Sequence, residues 1–325
     1  RHRNIVYATE TGRIPPSVML SCHAGHAARP GLGLADMVIR QSRWTARAID
    51  EAARRGRRLS VLNPEFAAEQ FTDRWPETQL QQTTYSRHLH TLANGLEAAR
   101  NGNVQLEDLQ AWLRDQFGDR VVTRSVTAFN RRIGQQVQAR QHGYTRSGGL
   151  VVPAAPAIIG TGAGLAPISA RGHTVIMSID AQMADMASLW PNLRLVAREG
   201  ACAAWRGPLR PLMQTFDIEI VYRAPAAIER LDARVLQPCV TVLSPPLRRR
   251  PGDREGALPH VYYGPDGEVT LCMLDPDAGE WSPGDSLAQT TVPWIIDWLA
   301  AYEGWRATGQ WTASGRHVEP ERGNV

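Results

Sequence analysis

The sequence predicts two domains, an all-α N-terminal one and an α+β C-terminal one built around a four-stranded antiparallel meander. Three observations carry this. Roughly the first 120 residues repeat apolar side chains at helical spacing. A stretch from Gln141 to Ala170 then collects Gly148, Gly149, Pro153, Pro156, Gly160, Gly162, Gly164 and Pro167, which break regular elements and read as a flexible linker or tail. After Met177 one helical segment is followed by short β-type runs separated by turns, and then by a strongly apolar helix.

Each element follows from local pattern. Pro15-Pro16-Ser17 ahead of Val18-Met19-Leu20 reads as a helix start, since Pro suits a first turn in which its missing N–H has no partner to lose. Leu34 to Ala53 carries apolar residues at 34, 37, 38, 48 and 49 and runs out at Gly56, with Arg57 and Arg58 suiting the negative end of the dipole. Asn63-Pro64 stops regular structure. Leu80 to Ala99 is helical with Tyr85, Leu89, Leu92 and Leu96 on one face, and Leu106 to Phe117 is a shorter helix stopped by Gly118. Met177 to Trp190 forms a helix ended by Pro191. Leu193–Glu199, Ala201–Trp205, Gln214–Tyr222 and Cys239–Leu243 read as the four strands, and Pro293 to Arg306 as the closing helix.

Composition bounds the function. A chain of 325 residues can bury two cores, and 43% hydrophobic with 21% charged residues is ordinary for a globular protein. No run of about 18 apolar residues offers a membrane span. The net charge of +4 is modest, and Arg248-Arg249-Arg250 sits among prolines, so a solvated loop is favoured over a nucleic-acid patch. Neither a membrane nor a specific nucleic acid is expected as a partner. The four Cys lie far apart without CxxC or zinc spacing, so reduced thiols in a cytoplasmic protein, with no metal, are expected. The opening Arg1-His2-Arg3-Asn4 has neither an initiator Met nor an apolar signal region, and reads as a chain beginning inside a domain. All 36 basic residues are Arg. Codon bias explains this, and so does an enzyme that spares itself by having no side-chain amine.

The richest segment surrounds Cys272. Leu258-Pro259-His260-Val261-Tyr262 forms a Pro-His turn, Leu271-Cys272-Met273-Leu274 ends a β-like run, and Glu280-Trp281-Ser282-Pro283 follows, with Trp281 nine residues after the Cys. This order resembles the active-site segment of ubiquitin-conjugating enzymes, in which a Cys carries a protein as a thioester. The continuation through Thr290-Thr291-Val292-Pro293-Trp294-Ile295-Ile296-Asp297-Trp298-Leu299 to Thr308-Gly309-Gln310-Trp311 is similar to the stand-alone bacterial form encoded in CBASS antiphage operons. The resemblance implies the α+β ubiquitin-conjugating fold over 177–325 and a transferase whose nucleophile is Cys272.

That chemistry needs an exposed thiolate, donors for a tetrahedral oxyanion and a route for an amine. The eukaryotic relatives supply a His-Pro-Asn turn; here the Asn is missing. His260 and Tyr262 are the candidates to support the oxyanion, and Asp275 and Asp277 could orient an amine. Trp281 is a possible support by its place after the Cys. Blander readings stand beside these: a buried inert Cys272, a His260 that ties down its turn, a solvated acidic loop at Asp275. Cys22, Cys202 and Cys239 read as packing residues, and Trp294, Trp298 and Trp305 as core.

The N-terminal half carries a second pattern. Asn63-Pro64, Phe71-Thr72-Asp73-Arg74-Trp75-Pro76-Glu77 and Phe117-Gly118 resemble the helical C-terminal part of cGAS/DncV-like nucleotidyltransferases, the cyclic-oligonucleotide synthases of CBASS. The resemblance implies a helical domain over 1–140, a tail or linker over 141–176, and the conjugating-type domain over 177–325. It also implies a partner, the cognate synthase, whose C-terminus would be passed to an amine acceptor that the sequence does not identify. The family's Gly-Ser turn and paired carboxylates, which hold magnesium for nucleotide chemistry, are missing here. Magnesium and nucleotides are therefore expected only for an intact synthase, this half is expected to be inactive alone, and the C-terminal domain is expected to need no cofactor. Asp73 reads as a structural residue that caps or bridges helices. Gly172-His173-Thr174 approaches the type of end such synthases present, but the chain runs on through Val175-Ile176 to Met177, as in two joined gene products. No Gly-rich adenylation loop is present, so activation comes from elsewhere or is bypassed. A non-catalytic module that simply holds the synthase is the alternative.

Overall fold

The computed structural model describes residue 2 and residues 13–102, 104, 106–151, 176–225, 236–250, 258–274 and 280–313. It divides into two compact units, Arg1–Arg124 and Ser125–Val325.

In the first unit, α1 (Ser17–Ala27), α2 (Leu34–Arg54), α3 (Gln79–Arg100) and α4 (Leu106–Phe117) follow the predicted order. Met19, Ala46, Ile49, Leu59, Val61, Trp75, Tyr85 and Leu89 form the core. The helical spacing found Met19, Ile49, Tyr85 and Leu89 among these, but Leu34 and Leu80 are 83% and 75% exposed: both open a helix, where the first turn projects past the packed stripe. Thr78 caps α3, its hydroxyl accepting from the Gln81 N–H at 3.2 Å. Buried Gln82 accepts from the Leu59 N–H at 2.8 Å and donates to the Arg57 carbonyl at 2.9 Å, tying the chain after α2 to α3. Gly118, at φ 84°, ends α4 as the sequence predicts. Asp73 is exposed and pairs with its neighbour Arg74 at 3.5 Å, so it joins no helices.

A helix that the spacing does not single out follows, α5 (Asp119–Gln138), and the division between the units falls inside it. Its apolar stripe is thin: Val122 and Ile133 are buried, and between them sits a buried Asn130. Of the stretch read as linker, 152–175 lie outside the described residues. Before them, β1 (Gly143–Tyr144) and β2 (Leu150–Val151) form a small antiparallel hairpin whose turn is Thr145-Arg146-Ser147-Gly148, closed by the Gly148 N–H donating to the Thr145 carbonyl at 2.9 Å. Glycine is required at Gly148 by its φ of 80°.

The second unit continues with α6 (Ile179–Leu189), capped by the Ser178 hydroxyl. Then come β3 (Arg194–Glu199), β4 (Cys202–Leu209), β5 (Phe216–Arg223) and β6 (Cys239–Ser244). These pair in sequence order, every neighbour antiparallel, which is the predicted meander. In β5 Phe216, Ile218, Ile220 and Tyr222 point inward and the intervening residues outward, the two-residue alternation of a sheet with one buried face. Two further short strands, β7 (Val261–Tyr263) and β8 (Val269–Leu271), make a separate hairpin. The chain then closes with α7 (Thr291–Thr308), ended by Gly309 in the left-handed region. Met186 of α6, Trp190 just after it, the inner sheet face, and Ile295, Ile296, Trp298 and Leu299 of α7 form one core. Trp298 and Trp305 are core residues, as their spacing predicts, whereas Trp294 is half-buried. Among the described residues no helix is long and apolar enough to cross a membrane.

Candidate functional site

Cys272 directly follows β8, one residue beyond the last ladder pair, Val261 with Leu271. The hairpin is closed by Gly264-Pro265-Asp266-Gly267, with Gly267 at φ 80° and the Gly264 N–H donating to the Glu268 carbonyl at 2.8 Å. Pairing continues once more: the Cys272 N–H donates to the His260 carbonyl at 3.0 Å. Side chains alternate across a strand, so 260 and 262 share one hairpin face with 270 and 272. This register brings the Tyr262 hydroxyl to 3.1 Å from the Cys272 Sγ. The thiol is half-buried and also lies 3.8 Å from the Leu274 carbonyl.

His260 occupies the left-handed region at φ 52°, a conformation that side-chain-bearing residues adopt only when neighbours impose it. Two neighbours act on it. Its carbonyl accepts a second hydrogen bond, from the Trp298 indole N–H of α7 at 2.9 Å. Its imidazole stacks on Trp311, centroids 4.8 Å apart and planes 21° from parallel, and Trp311 in turn meets Trp298 edge-on at 5.3 Å. One carbonyl thus joins the backbone of Cys272 to the closing helix.

The remaining predicted residues divide. Trp281 is half-buried and meets Tyr222 of β5 edge-on at 5.7 Å. Asp275 and Asp277 lie outside the described residues. None of the four Cys is in a disulfide; Cys239 is exposed as a residue although its sulfur is partly covered, and that partial burial, with Glu268 and Glu219, pushes its thiol up. Among the described residues no group of three or more His, Cys, Asp or Glu is arranged to hold a metal.

Two polar arrangements went unread in the sequence. Glu303 of α7 is 3% exposed, and its carboxylate accepts from the backbone N–H groups of Leu212, Met213 and Gln214 at 3.2, 2.9 and 3.2 Å. Burial raises its pKa to about 7, against the lowering effect of those three hydrogen bonds. In the second, buried His142 and Tyr144 meet Asp297 of α7. The Tyr144 hydroxyl donates to Asp297 Oδ2 at 2.9 Å and lies 2.7 Å from His142 Nε2, which is 3.2 Å from Asp297 Oδ1. Burial, followed by the Asp297 charge, pushes the Tyr144 hydroxyl above the usual phenol range. No local spacing signals either arrangement, because the partners are brought together only by the fold.

The fold and this site define an α+β domain that presents a half-buried thiol beside a phenol on a hairpin braced by a tryptophan-rich helix. Residues 182–318 match the family model of the type II CBASS E2 protein. A cyclic dinucleotide synthase, CdnG of Bradyrhizobium diazoefficiens, is 81% identical over 174 residues, which make up 54% of this chain and 42% of that protein. The chain therefore spans about two fifths of the length of this relative. A solved structure of the Bradyrhizobium CdnG in complex with GTP is 79% identical over 40% of this chain and 36% of that one, with a TM-score of 0.37. The chain thus carries, in its C-terminal part, a segment matched to the type II CBASS E2 protein and also a stretch similar to a cyclic dinucleotide synthase.

Proposed function

We propose that the C-terminal part, over 177–325, is a ubiquitin-conjugating-type acyl transferase that carries the C-terminus of a cognate synthase on Cys272. The observation that carries this is the 3.1 Å approach of the Tyr262 hydroxyl to the Cys272 Sγ, inside the segment matched to the E2 family. In the resting thiol the Sγ donates to that hydroxyl; once the thiol proton is lost, the phenol turns donor to the thiolate and stabilises the form that attacks. The thiolate adds to the C-terminal carbonyl of a synthase already activated as an acyl anhydride or a thioester. The tetrahedral oxyanion expels the activating group, leaving the synthase as a thioester on Cys272. A target amine then adds to the thioester, loses its proton and releases Cys272 as thiolate. Tyr262 stands in for the missing Asn as an oxyanion donor, and His260 positions Cys272 through its carbonyl.

In this reading the domain needs no cofactor of its own; magnesium and nucleotides belong to the intact synthase. Because the chain runs past Thr174, its own N-terminal half has no free end there to load, and the acyl donor is a second molecule.

The test supplies a C-terminal peptide of the Bradyrhizobium synthase as a thioester and follows the full chain by intact mass. The expected adduct equals protein plus free peptide less one water, is lost on thiol treatment and is absent in Cys272→Ala. An adduct that persists in Cys272→Ala, or none with wild type, rejects the transferase. A binding module that holds the synthase without chemistry is the second reading. The packing of residues 130–151 on the matched segment favours a binding role whether or not chemistry follows.

A further inference from the structure

The family match begins at residue 182, yet the second compact unit begins at Ser125. A helix end and a hairpin from outside the match are therefore seated on residues inside it. Asn130, 3% exposed on α5, donates to the Thr308 hydroxyl at 2.9 Å and to the Gln310 carbonyl at 3.3 Å. Gly304 of α7 lies under Asn130 so closely that an added Cβ would stand 1.9 Å from its Oδ1. Gly134 meets Thr312 in the same way, at 2.4 Å. The Gln138 amide donates to the Thr312 carbonyl at 3.3 Å. Beyond the helix, Tyr144 donates to Asp297, and the Leu150 N–H donates to the Pro211 carbonyl at 2.8 Å. Gly148 packs on Leu209, where a Cβ would come within 2.2 Å.

These contacts have the character of a specific interface. Three glycines, Gly304 on one side and Gly134 and Gly148 on the other, let backbone and side chain approach closely. The bonds of Asn130 and Tyr144 across it are partly buried, so a mismatched partner would strand Asn130 and Asp297 without theirs. Asp297 and Trp298 are consecutive on α7: one holds Tyr144, the other holds the carbonyl that accepts from Cys272.

We infer that the helix–hairpin segment 130–151 is the element by which a cyclic dinucleotide synthase docks non-covalently on a type II CBASS E2 protein. The receiving surface is the Asp297–Thr312 side of α7 and its C-terminal extension, together with Leu209–Pro211. This rests on the reading of the segment before 152 as synthase-derived. Docking then holds the synthase on the thiol-bearing domain before and after any acyl transfer, independently of Cys272.

The test uses the full chain with a protease recognition sequence inserted between 152 and 175, and cleavage is followed to completion on a denaturing gel. The two wild-type pieces are expected to co-elute on size exclusion, and Cys272→Ala is expected to behave identically. Gly134→Leu, which favours the helix but wedges against Thr312, is expected to release the N-terminal piece, as is the milder pair Asn130→Ala with Tyr144→Phe. Wild-type pieces that separate, or variants that stay joined as firmly as wild type, overturn the proposal. In a second arm, tagged intact Bradyrhizobium synthase is incubated with the nicked wild-type chain. Capture of the C-terminal piece supports the assignment; retention of the original pieces with no capture overturns the synthase as partner. Loss of the peptide adduct with docking intact rejects only the transferase, and separation with normal adduct formation rejects only this surface.

Discussion

At Cys272 the decisive quantity is one hydroxyl at 3.1 Å. Removing it by Tyr262→Phe keeps the ring and deletes the donor. We expect the rate of peptide-thioester transfer to fall by on the order of 100-fold, as for loss of one oxyanion donor. Alkylation of the Cys272 thiol should also shift to higher pH, because the thiolate loses its hydrogen bond. An unchanged alkylation profile would show that the phenol only packs. Trp298→Phe tests a positioning role: the ring fills most of the same space, but the His260 carbonyl loses one of its two donors. Stability should drop by about 1 kcal/mol in urea titration, with a lower transfer rate at unchanged peptide affinity. Cys272, His260 and Tyr262 were singled out because their segment resembles that of ubiquitin-conjugating enzymes; that they share one hairpin face comes only from the ladder of β7 with β8. The Trp298 bond was not legible in sequence, because it joins residues 38 apart through an indole N–H on a helix that reads simply as apolar.

At the scale of elements, Glu303 and Gly207 show how neighbouring segments are held. Glu303 satisfies three N–H groups of the turn between β4 and β5, and burial raises its pKa from 4.5 to about 7. Between those values the folded protein binds more protons than the unfolded chain, so stability is greatest below about pH 4.5 as far as this group is concerned. It falls as pH rises towards 7 and then levels off. The full shift corresponds to at most about 3 kcal/mol. The urea midpoint should therefore decline from pH 5.5 to pH 8, and Glu303→Gln should flatten that slope; a slope unaltered in the variant would assign it to other groups. Gly207 of β4 faces backbone: a Cβ there would stand 2.0 Å from the Asn192 carbonyl oxygen. Peptide groups cannot swing aside as a side-chain tip can, so Gly207→Ala should cost about 2 kcal/mol or more in a denaturant titration. The strands themselves were readable from alternation, most clearly in β5. Their bounds were not, since β4 runs on to Leu209 through Gly207-Pro208, residues that read as breakers but are paired with Ile218 and Asp217.

For the whole molecule, composition and periodicity placed helices first and a meander second. These follow from sequence alone because each signal is local: helical spacing, strand alternation and turn residues act within a few positions. Which segments pack together is a different kind of question. The spacing around Gly148-Gly149 reads as a break, yet it turns a hairpin because Tyr144 finds Asp297 and Leu150 finds Pro211. Likewise α5 has too thin an apolar stripe to declare its allegiance, and its buried Asn130 is paired only across the fold. The sequence by itself determined most of the helices and the four-stranded meander, and singled out Cys272 as the candidate nucleophile. The tertiary structure decided that Tyr262 meets the thiol, that Glu303 is buried, and that residues 125–151 join the thiol-bearing unit. Those outcomes depend on shape and hydrogen-bond complementarity between residues distant in the chain, which no local pattern encodes.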